Sequence, residues 1–438
     1  MPGRVLMVSP HFPPDSSAGA HRVRLLAPHL PKYGWEPTIV SVDPRDYEGR
    51  LDPELAKLVP TDLRIVRCRA WPARWTRYLA VGDLGLRALK GLYDTCVGLL
   101  EREQFDVVFI TIFPTYPALL GPILKRRFGV PFVLDYMDPW LGAWGKTVGG
   151  GPNGRPDLKS RLTRALARRL EPRVVSVASG LTAVSALTCE QIRARYPALA
   201  GIPSMAIPLG GEPADFEHLR REPRPNTYFD AKNGAIHLCY VGTLLPLGFE
   251  TLRAVLRATA RLRQERPELY QRLRLHFFGT SNQRDPNVPP RVLPVARELG
   301  VDDCVTEIAD RIDYLDALTV QLDTTAILLM GSTERHYTAS KLYPALLARR
   351  PILAVYHDES SVVDILRRAV RPPTGRVITY TDTDRAGSRV ETICTELLAL
   401  ARNPVYDAAD VDEAVMHAFS AEVLAGRLAA IFERARSN

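Results

Sequence analysis

Val5-Leu-Met-Val-Ser-Pro-His-Phe-Pro-Pro-Asp-Ser-Ser-Ala-Gly-Ala20 is the stretch that decides the fold. A short uncharged apolar run breaks into a loop rich in proline and serine, and apolar residues then recur at helical spacing through Leu30. The pattern predicts a strand over Val5–Ser9, a loop, and a helix over Ala20–Leu30. The strand shows no apolar/polar alternation, so both its faces are covered, as in a parallel sheet with helices on either side.

The same unit repeats outward from there. Pro37–Val42, Asp106–Thr111, Pro131–Asp135 and Gly180–Val184 read as further strands, and Leu84–Glu103, Ser160–Leu170 and Cys189–Tyr196 as helices. Ile207–Glu212 reads as a strand ending in a glycine turn, and Arg220–Asn226 is polar and proline-rich, as a linker is. The alternation then restarts with strands at Ile236–Val241, Arg274–Phe278, Cys304–Ile308, Ala326–Met330 and Pro351–Val355, and a helix at Phe249–Gln264. The expected division is a first α/β domain at 1–212, a linker at 213–232, a second domain at 233–410, and a C-terminal helix at 411–438, about Val411–Arg436, that packs back on the first domain. Two such sheets would face each other across a cleft, with ligands outside the carboxyl ends of the strands.

Length and composition agree. A chain of 438 residues exceeds one ordinary core, and 46% hydrophobic with 24% charged residues is globular composition. No apolar run reaches the length of a membrane span, and the N-terminal apolar stretch is too short for a signal peptide. The expectation is a cytoplasmic protein, with peripheral contact at the inner membrane surface as an option. Cysteines 68, 96, 189, 239, 304 and 394 form no CxxC pair and read as reduced, packed thiols. A net charge of +8 suits anionic partners without choosing among nucleotide phosphates, lipid headgroups and nucleic acid.

Three segments carry chemistry. In the opening loop, Ser17, Gly19 and Arg22 can present backbone N–H groups and a cation to a phosphate at a helix N-terminus. In Phe132-Val-Leu-Asp-Tyr-Met-Asp-Pro-Trp140, Asp135 and Asp138 leave a buried strand. Asp138 can orient or deprotonate a hydroxyl, and Trp140 can stack on a sugar face. The plainer reading makes Asp138 a cap before Pro139. In Gly331-Ser-Thr-Glu-Arg-His-Tyr-Thr-Ala-Ser-Lys-Leu342, a polar loop enters a helix and Lys341 supplies a point charge for a diphosphate. There the plainer reading is a solvated Lys341 on a surface-facing helix, with Ser340 as N-cap.

Other signals fail. Gly145-Lys-Thr147 lacks the first glycine of a P-loop and no strand leads into it, and Gly149–Gly154 reads as a loop over the cleft. No GxSxG, HExxH or calcium-loop spacing occurs, so no metal site and no cofactor are expected. The basic segments 71–90, with Trp71 and Trp75, and 155–173, with Leu158, Leu162, Leu166 and Leu170 on one side, read as solvated faces or as contacts to a membrane surface.

Taken in order, these segments resemble the family 4 glycosyltransferases nearly end to end. Phe12-Pro-Pro-Asp15 with Gly19, Arg22, Leu26, Leu30 and Gly34 is similar to that family's opening strand, loop and helix. Leu181-Thr-Ala-Val-Ser185, Ile207-Pro-Leu-Gly-Gly-Glu212 with Phe216, Tyr240-Val-Gly-Thr243 and Lys341–Leu353 resemble its later landmarks. The resemblance implies the GT-B architecture of two Rossmann-like domains, a nucleotide-sugar donor on the second, and metal-independent transfer with retention. The donor-side candidates are Gly242, Thr243, Gly279, Arg311, Glu334, His336, Tyr337, Thr338, Ser340 and Lys341, and the local reading makes Asp138 and Lys341 the catalytic candidates. The chain departs from the family where Thr243 and Leu247 replace an Arg and a Lys, Tyr337 and Pro344 replace paired glutamates, and Met137 replaces a His. Lys341, with Arg335, would then carry the phosphate charge. Competing expectations are a nucleotide-sugar-binding protein without transferase activity, a nucleotide-sugar epimerase, and a polyanion binder. The last gives no reason for two sheets, so no nucleic-acid partner is expected.

Overall fold

Apolar runs closed by turn residues become two parallel sheets in the computed structural model, which describes residues 1–79, 81–141, 158–281, 283, 285, 287–333 and 340–437. The first sheet holds β1 (Gly3–Val8), β2 (Trp35–Val42), β3 (Arg64–Cys68), β4 (Val107–Ile112), β5 (Phe132–Tyr136), β6 (Gly180–Ala183) and β7 (Ser204–Ala206). Their spatial order is β3-β2-β1-β4-β5-β6-β7, parallel throughout. The order reverses between β1 and β4, which opens a crevice beyond their carboxyl ends.

The second sheet holds β8 (Ile236–Val241), β9 (Leu273–Phe278), β10 (Val305–Ile308), β11 (Ala326–Met330), β12 (Ile352–His357) and β13 (Gly375–Tyr380). It runs β10-β9-β8-β11-β12-β13, again parallel, and reverses between β8 and β11. Each sheet is therefore a doubly wound Rossmann-like layer, the pair of units that defines the GT-B class.

The chain divides into Met1–Leu209 with Ala421–Asn438, and Gly210–Ser420. The last helix, Ala421–Arg436, is part of the first unit. Its Leu424, Leu428, Ile431 and Phe432 share one core with Val5, Met7, Trp35 and Phe109, and Phe432 meets the Trp35 ring edge-on at 5.2 Å. This helix starts ten residues later than the sequence pattern suggests. A separate short helix, Glu413–His417, precedes it, capped by the Asp412 side chain on the N–H groups of Ala414 and Val415. The segment expected as a linker begins with another helix, Pro213–Arg221, whose Asp215, Phe216 and Leu219 are buried. Tyr314 donates to Asp215 at 2.7 Å, which ties that helix into the second unit.

The strand expected at Ile207–Glu212 is instead the three-residue β7 just before it. The helix expected over Ala20–Leu30 starts at Ala18 and tightens into a 3₁₀ turn from Ala27 to Tyr33, because Pro28 and Pro31 cannot donate to an α-helical ladder. The basic helix spans Leu158–Val175 and buries Ala167, Glu171, Val174 and Val175, while Leu162 and Leu166 stay exposed.

Candidate active site

In the first unit the crevice at the sheet's reversal is a cavity of about 530 Å³. The loop after β1 supplies His11 and Asp15, the loop after β4 supplies Phe113 and Thr115, and the end of β5 supplies Asp138. Glu48, Asp83 and Arg87 complete the polar wall. Asp83 stands there because it is the N-cap of the helix Leu84–Leu100, accepting the Leu86 N–H at 2.8 Å.

The charges in this wall are set by their neighbours. Asp15 is partly buried, which pushes its pKa up. The hydrogen bonds from His11 (2.6 Å) and from the Ser17 hydroxyl and N–H (2.6 and 3.1 Å) outweigh burial and hold it at about 2. His11 is fixed in turn by stacking on Tyr47, with ring planes 7° apart. Tyr47 anchors the loop by donating to the Pro10 carbonyl at 2.9 Å. Desolvation raises both Asp83 and Asp138 above the ordinary aspartate value. Asp138 is exposed at the mouth of the cavity, yet the protein around its carboxyl withholds enough water to disfavour the charge. No hydrogen bond from a described residue reaches that carboxylate. It caps nothing among the described residues, and the segment that the plainer reading has it cap lies mostly outside them; its carboxylate lines the cavity.

The other candidates of this unit have different jobs. Arg22 and Asp135 are fully buried and paired, Nη2 to Oδ1 at 2.6 Å and Nε to Oδ2 at 2.8 Å. Arg22 also donates to the carbonyls of Ile207 and Pro208, and Thr182 donates to Asp135 at 2.6 Å. Every bond points inward, so neither residue meets a ligand as expected; they lock the helix after β1 to β5, β6 and the chain beyond β7. Replacing Asp135 with Asn keeps the Thr182 bond but leaves the Arg22 charge under-compensated. The expected cost is about 2 kcal/mol, read as a lower denaturant midpoint at constant slope; an unchanged midpoint would show that the pair does not stabilise the unit.

Gly19 packs against Phe113, where a Cβ would lie 2.3 Å from the ring. Ser17 spends its N–H and hydroxyl on Asp15, so the loop's own carboxylate occupies the donors expected for a phosphate. Trp140 packs against the apolar core. Sequence reasoning passed over His11, Asp15, Asp83 and Arg87. The usable signals were the four-residue spacing of His11 and Asp15 and an aspartate directly before an amphipathic helix.

In the second unit, Gly242 and Thr243 follow β8 and Gly279 follows β9. Gly242 (φ 132°) and Gly279 (φ 65°) adopt conformations that favour glycine. A Cβ at Gly279 would come within 3.9 Å of the Arg311 backbone, and one at Gly242 within 3.5 Å of the Lys341 side chain. Lys341 is not on a solvated face. Its ammonium lies 4.2 Å from the Tyr240 ring centroid, donates to the Tyr240 hydroxyl and reaches the Thr243 carbonyl at 3.5 Å. Desolvation lowers its pKa to about 7. Among the described residues this half-buried amine has no carboxylate partner. Ser340 is exposed beside it. Glu334, Arg335, His336, Tyr337 and Thr338, like Gly145–Gly154 and Arg155, lie outside the described residues. Among the described residues no group of His, Cys, Asp or Glu is arranged to hold a metal ion, and no helix is long and apolar enough to cross a membrane.

Comparison with known proteins follows the same division. Residues 17–210 match the glycosyl transferase 4-like domain. No curated protein sequence matches the chain. Among solved structures, the N-terminal domain of Candida albicans trehalose-6-phosphate phosphatase is similar at 12% identity, covering 99% of this chain and 97% of that one with a TM-score of 0.62. Anabaena HepE in complex with UDP and glucose aligns at 13% identity over 98% of each chain, TM-score 0.60. A UDP-forming α,α-trehalose-phosphate synthase from Burkholderia xenovorans aligns at 11% identity over 99% of each, TM-score 0.59. Residues 17–210 thus resemble the glycosyl transferase 4-like domain, and the chain as a whole shares the two-domain GT-B fold of these structures.

Proposed function

We propose that this protein transfers a sugar from a nucleotide-sugar donor, bound by the second unit, to a hydroxyl of an acceptor held in the first unit's cavity. The observation that carries the reading is the cavity at the reversal of the first sheet, inside the glycosyl transferase 4-like domain, with Asp138 unpaired by any described residue at its mouth. Lys341 neutralises the donor diphosphate and stabilises the charge that develops on it as it leaves. Asp138 accepts a hydrogen bond from the attacking hydroxyl and fixes its direction. HepE, similar in fold, was solved with UDP and glucose, which supports a nucleotide-sugar donor here. We further propose retention at the anomeric carbon.

A thermal-shift screen over UDP-, GDP-, ADP- and TDP-sugars, followed by turnover of the best stabiliser, tests this reading. Stabilisation together with released nucleoside diphosphate is the expected result. Binding without any turnover would make the chain a nucleotide-sugar-binding protein instead. Because Lys341 supplies the phosphate charge in this proposal, turnover should be unchanged in excess EDTA. Loss on chelation that magnesium restores would overturn the metal-independent part of the proposal.

A further inference from the structure

A second cavity of about 670 Å³ lies in the first unit, and its lining is of a different kind. Leu86, Leu89, Leu119, Leu120, Ile123 and Trp71 make an apolar groove, with Lys90 and Arg126 also lining it. Lys90 is taken up by Asp94 at 2.5 Å. Leu86 and Ile123 are each 36% exposed and Trp71 is 60% exposed, so the groove opens to solvent, while Leu120 of the core, with Leu89 and Leu119 packed against that core, forms its base. Contiguous apolar surface of this kind marks an interaction site.

The groove adjoins the polar cavity. Arg87 lines both. The short run 81–86 supplies both walls: Gly82, Asp83 and Leu84 to the polar cavity, Val81 and Leu86 to the groove. Arg87 itself is buried and held by the carbonyls of Trp71 (2.8 Å) and Asp46 (3.1 Å), so the wall along which the two spaces meet is fixed. One space thus offers carboxylates (Asp15, Glu48, Asp83, Asp138) suited to hydroxyl donors, and its neighbour offers a mainly apolar lining, with Thr76 and Tyr93 as well as Lys90 and Arg126 among it. A ligand that fills both is an amphipath.

We propose that the acceptor carries an apolar chain, which lies in the groove between the helix Leu84–Leu100 and the Leu119–Ile123 segment, while a neutral, hydroxyl-bearing head occupies the polar cavity. With Asp15 paired to His11 and Glu48 to Arg77, Asp83 and Asp138 are left without an ion pair among the described residues, which argues for a neutral head over a phosphorylated one. This inference rests on the assignment of the polar cavity to the acceptor, and it adds the acceptor's chemical class.

The test uses the full-length protein and a series of n-alkyl glucosides, hexyl to decyl, below their micellar concentrations, with binding read by calorimetry. Affinity should rise about fourfold for each added methylene, the value of burying one CH₂. Leu86→Glu and Ile123→Glu, both at exposed positions, should flatten that dependence, while Val405→Glu, at an exposed apolar position of the second unit, should leave it intact. Affinity independent of chain length would overturn the proposal. So would tighter binding of decyl phosphate than of decyl glucoside, binding to anionic phospholipid vesicles without any for monomeric glucosides, or a protein dimer that Leu86→Glu dissolves. Nucleotide-sugar turnover measured on the same samples separates the two readings. Turnover with no chain-length dependence removes the groove and leaves the transferase; chain-dependent binding with no turnover of any nucleotide sugar does the reverse.

Discussion

Asp138→Asn lowers turnover by about 100-fold or more at saturating donor and acceptor, while nucleotide-diphosphate affinity stays within about twofold. The two halves of this result come from where the residue stands. Asp138 opens on the first unit's cavity, and desolvation raises its pKa, so its carboxylate is under-solvated and gains most from a hydroxyl that donates to it. Asparagine has the same shape but offers one carbonyl oxygen and an N–H₂ that donates, which cannot hold the attacking hydroxyl in the same direction. The donor phosphates are assigned to Lys341 in the other unit, so their affinity has no reason to change. A pH profile adds a second readout. The carboxylate is the working form, so the rate should fall on the acid side at a pH above the ordinary aspartate range, and that limb should vanish in Asp138→Asn. Full activity in the variant would make Asp138 a bystander at the cavity mouth.

Much of this was written in the chain, and the rest was missing for physical reasons. The inner strands of both sheets are legible because burial on two faces produces uninterrupted apolar runs such as Val5–Val8 and Ala326–Met330. The edges are not. β3 and β13 bury one face or less, and Arg64, Arg67 and Arg376 interrupt them. β7 has three partly exposed residues and no periodicity to detect. For the site, Asp138 and Lys341 could be singled out because each stands next to a strand or helix end recognisable from local pattern. The fate of Arg22 and Asp135 could not be read that way. They are 113 residues apart, and only the β1–β4–β5 adjacency brings them together, turning two apparent ligand contacts into an internal lock. Asp83 and His11 reach one cavity from two loops by the same adjacency.

Replacing Lys341 with Met should weaken nucleotide-diphosphate binding by about 10- to 150-fold and at the same time stabilise the ligand-free protein. The first effect is the loss of a charge-assisted hydrogen bond, about 1.5–3 kcal/mol. The second follows from the packing around Tyr240. An exposed lysine would cost nothing to replace, as the sequence pattern implied, but desolvation lowers the pKa of this one to about 7. Between pH 7 and the ordinary lysine value of 10.5, the unfolded chain binds a proton that the native state does not. Native stability therefore rises with pH across that window, and below pH 7 the cost of the enclosed charge is present in full. The whole shift would amount to roughly 5 kcal/mol. Lys341 keeps part of its surface in water and loses its bond to Tyr240 on substitution, so a gain of about 1–2 kcal/mol at pH 6 is the expected share. Thermal unfolding at pH 6 and pH 9 should show the Met variant above the native protein at pH 6 and the difference shrinking at pH 9. Saturating nucleotide diphosphate should offset or reverse the order, because the native protein gains about 1.5–3 kcal/mol more from the ligand than the weaker-binding variant. A Met variant that unfolds earlier at pH 6 and binds the diphosphate as tightly would show Lys341 to be a packing residue, with the donor charge met elsewhere.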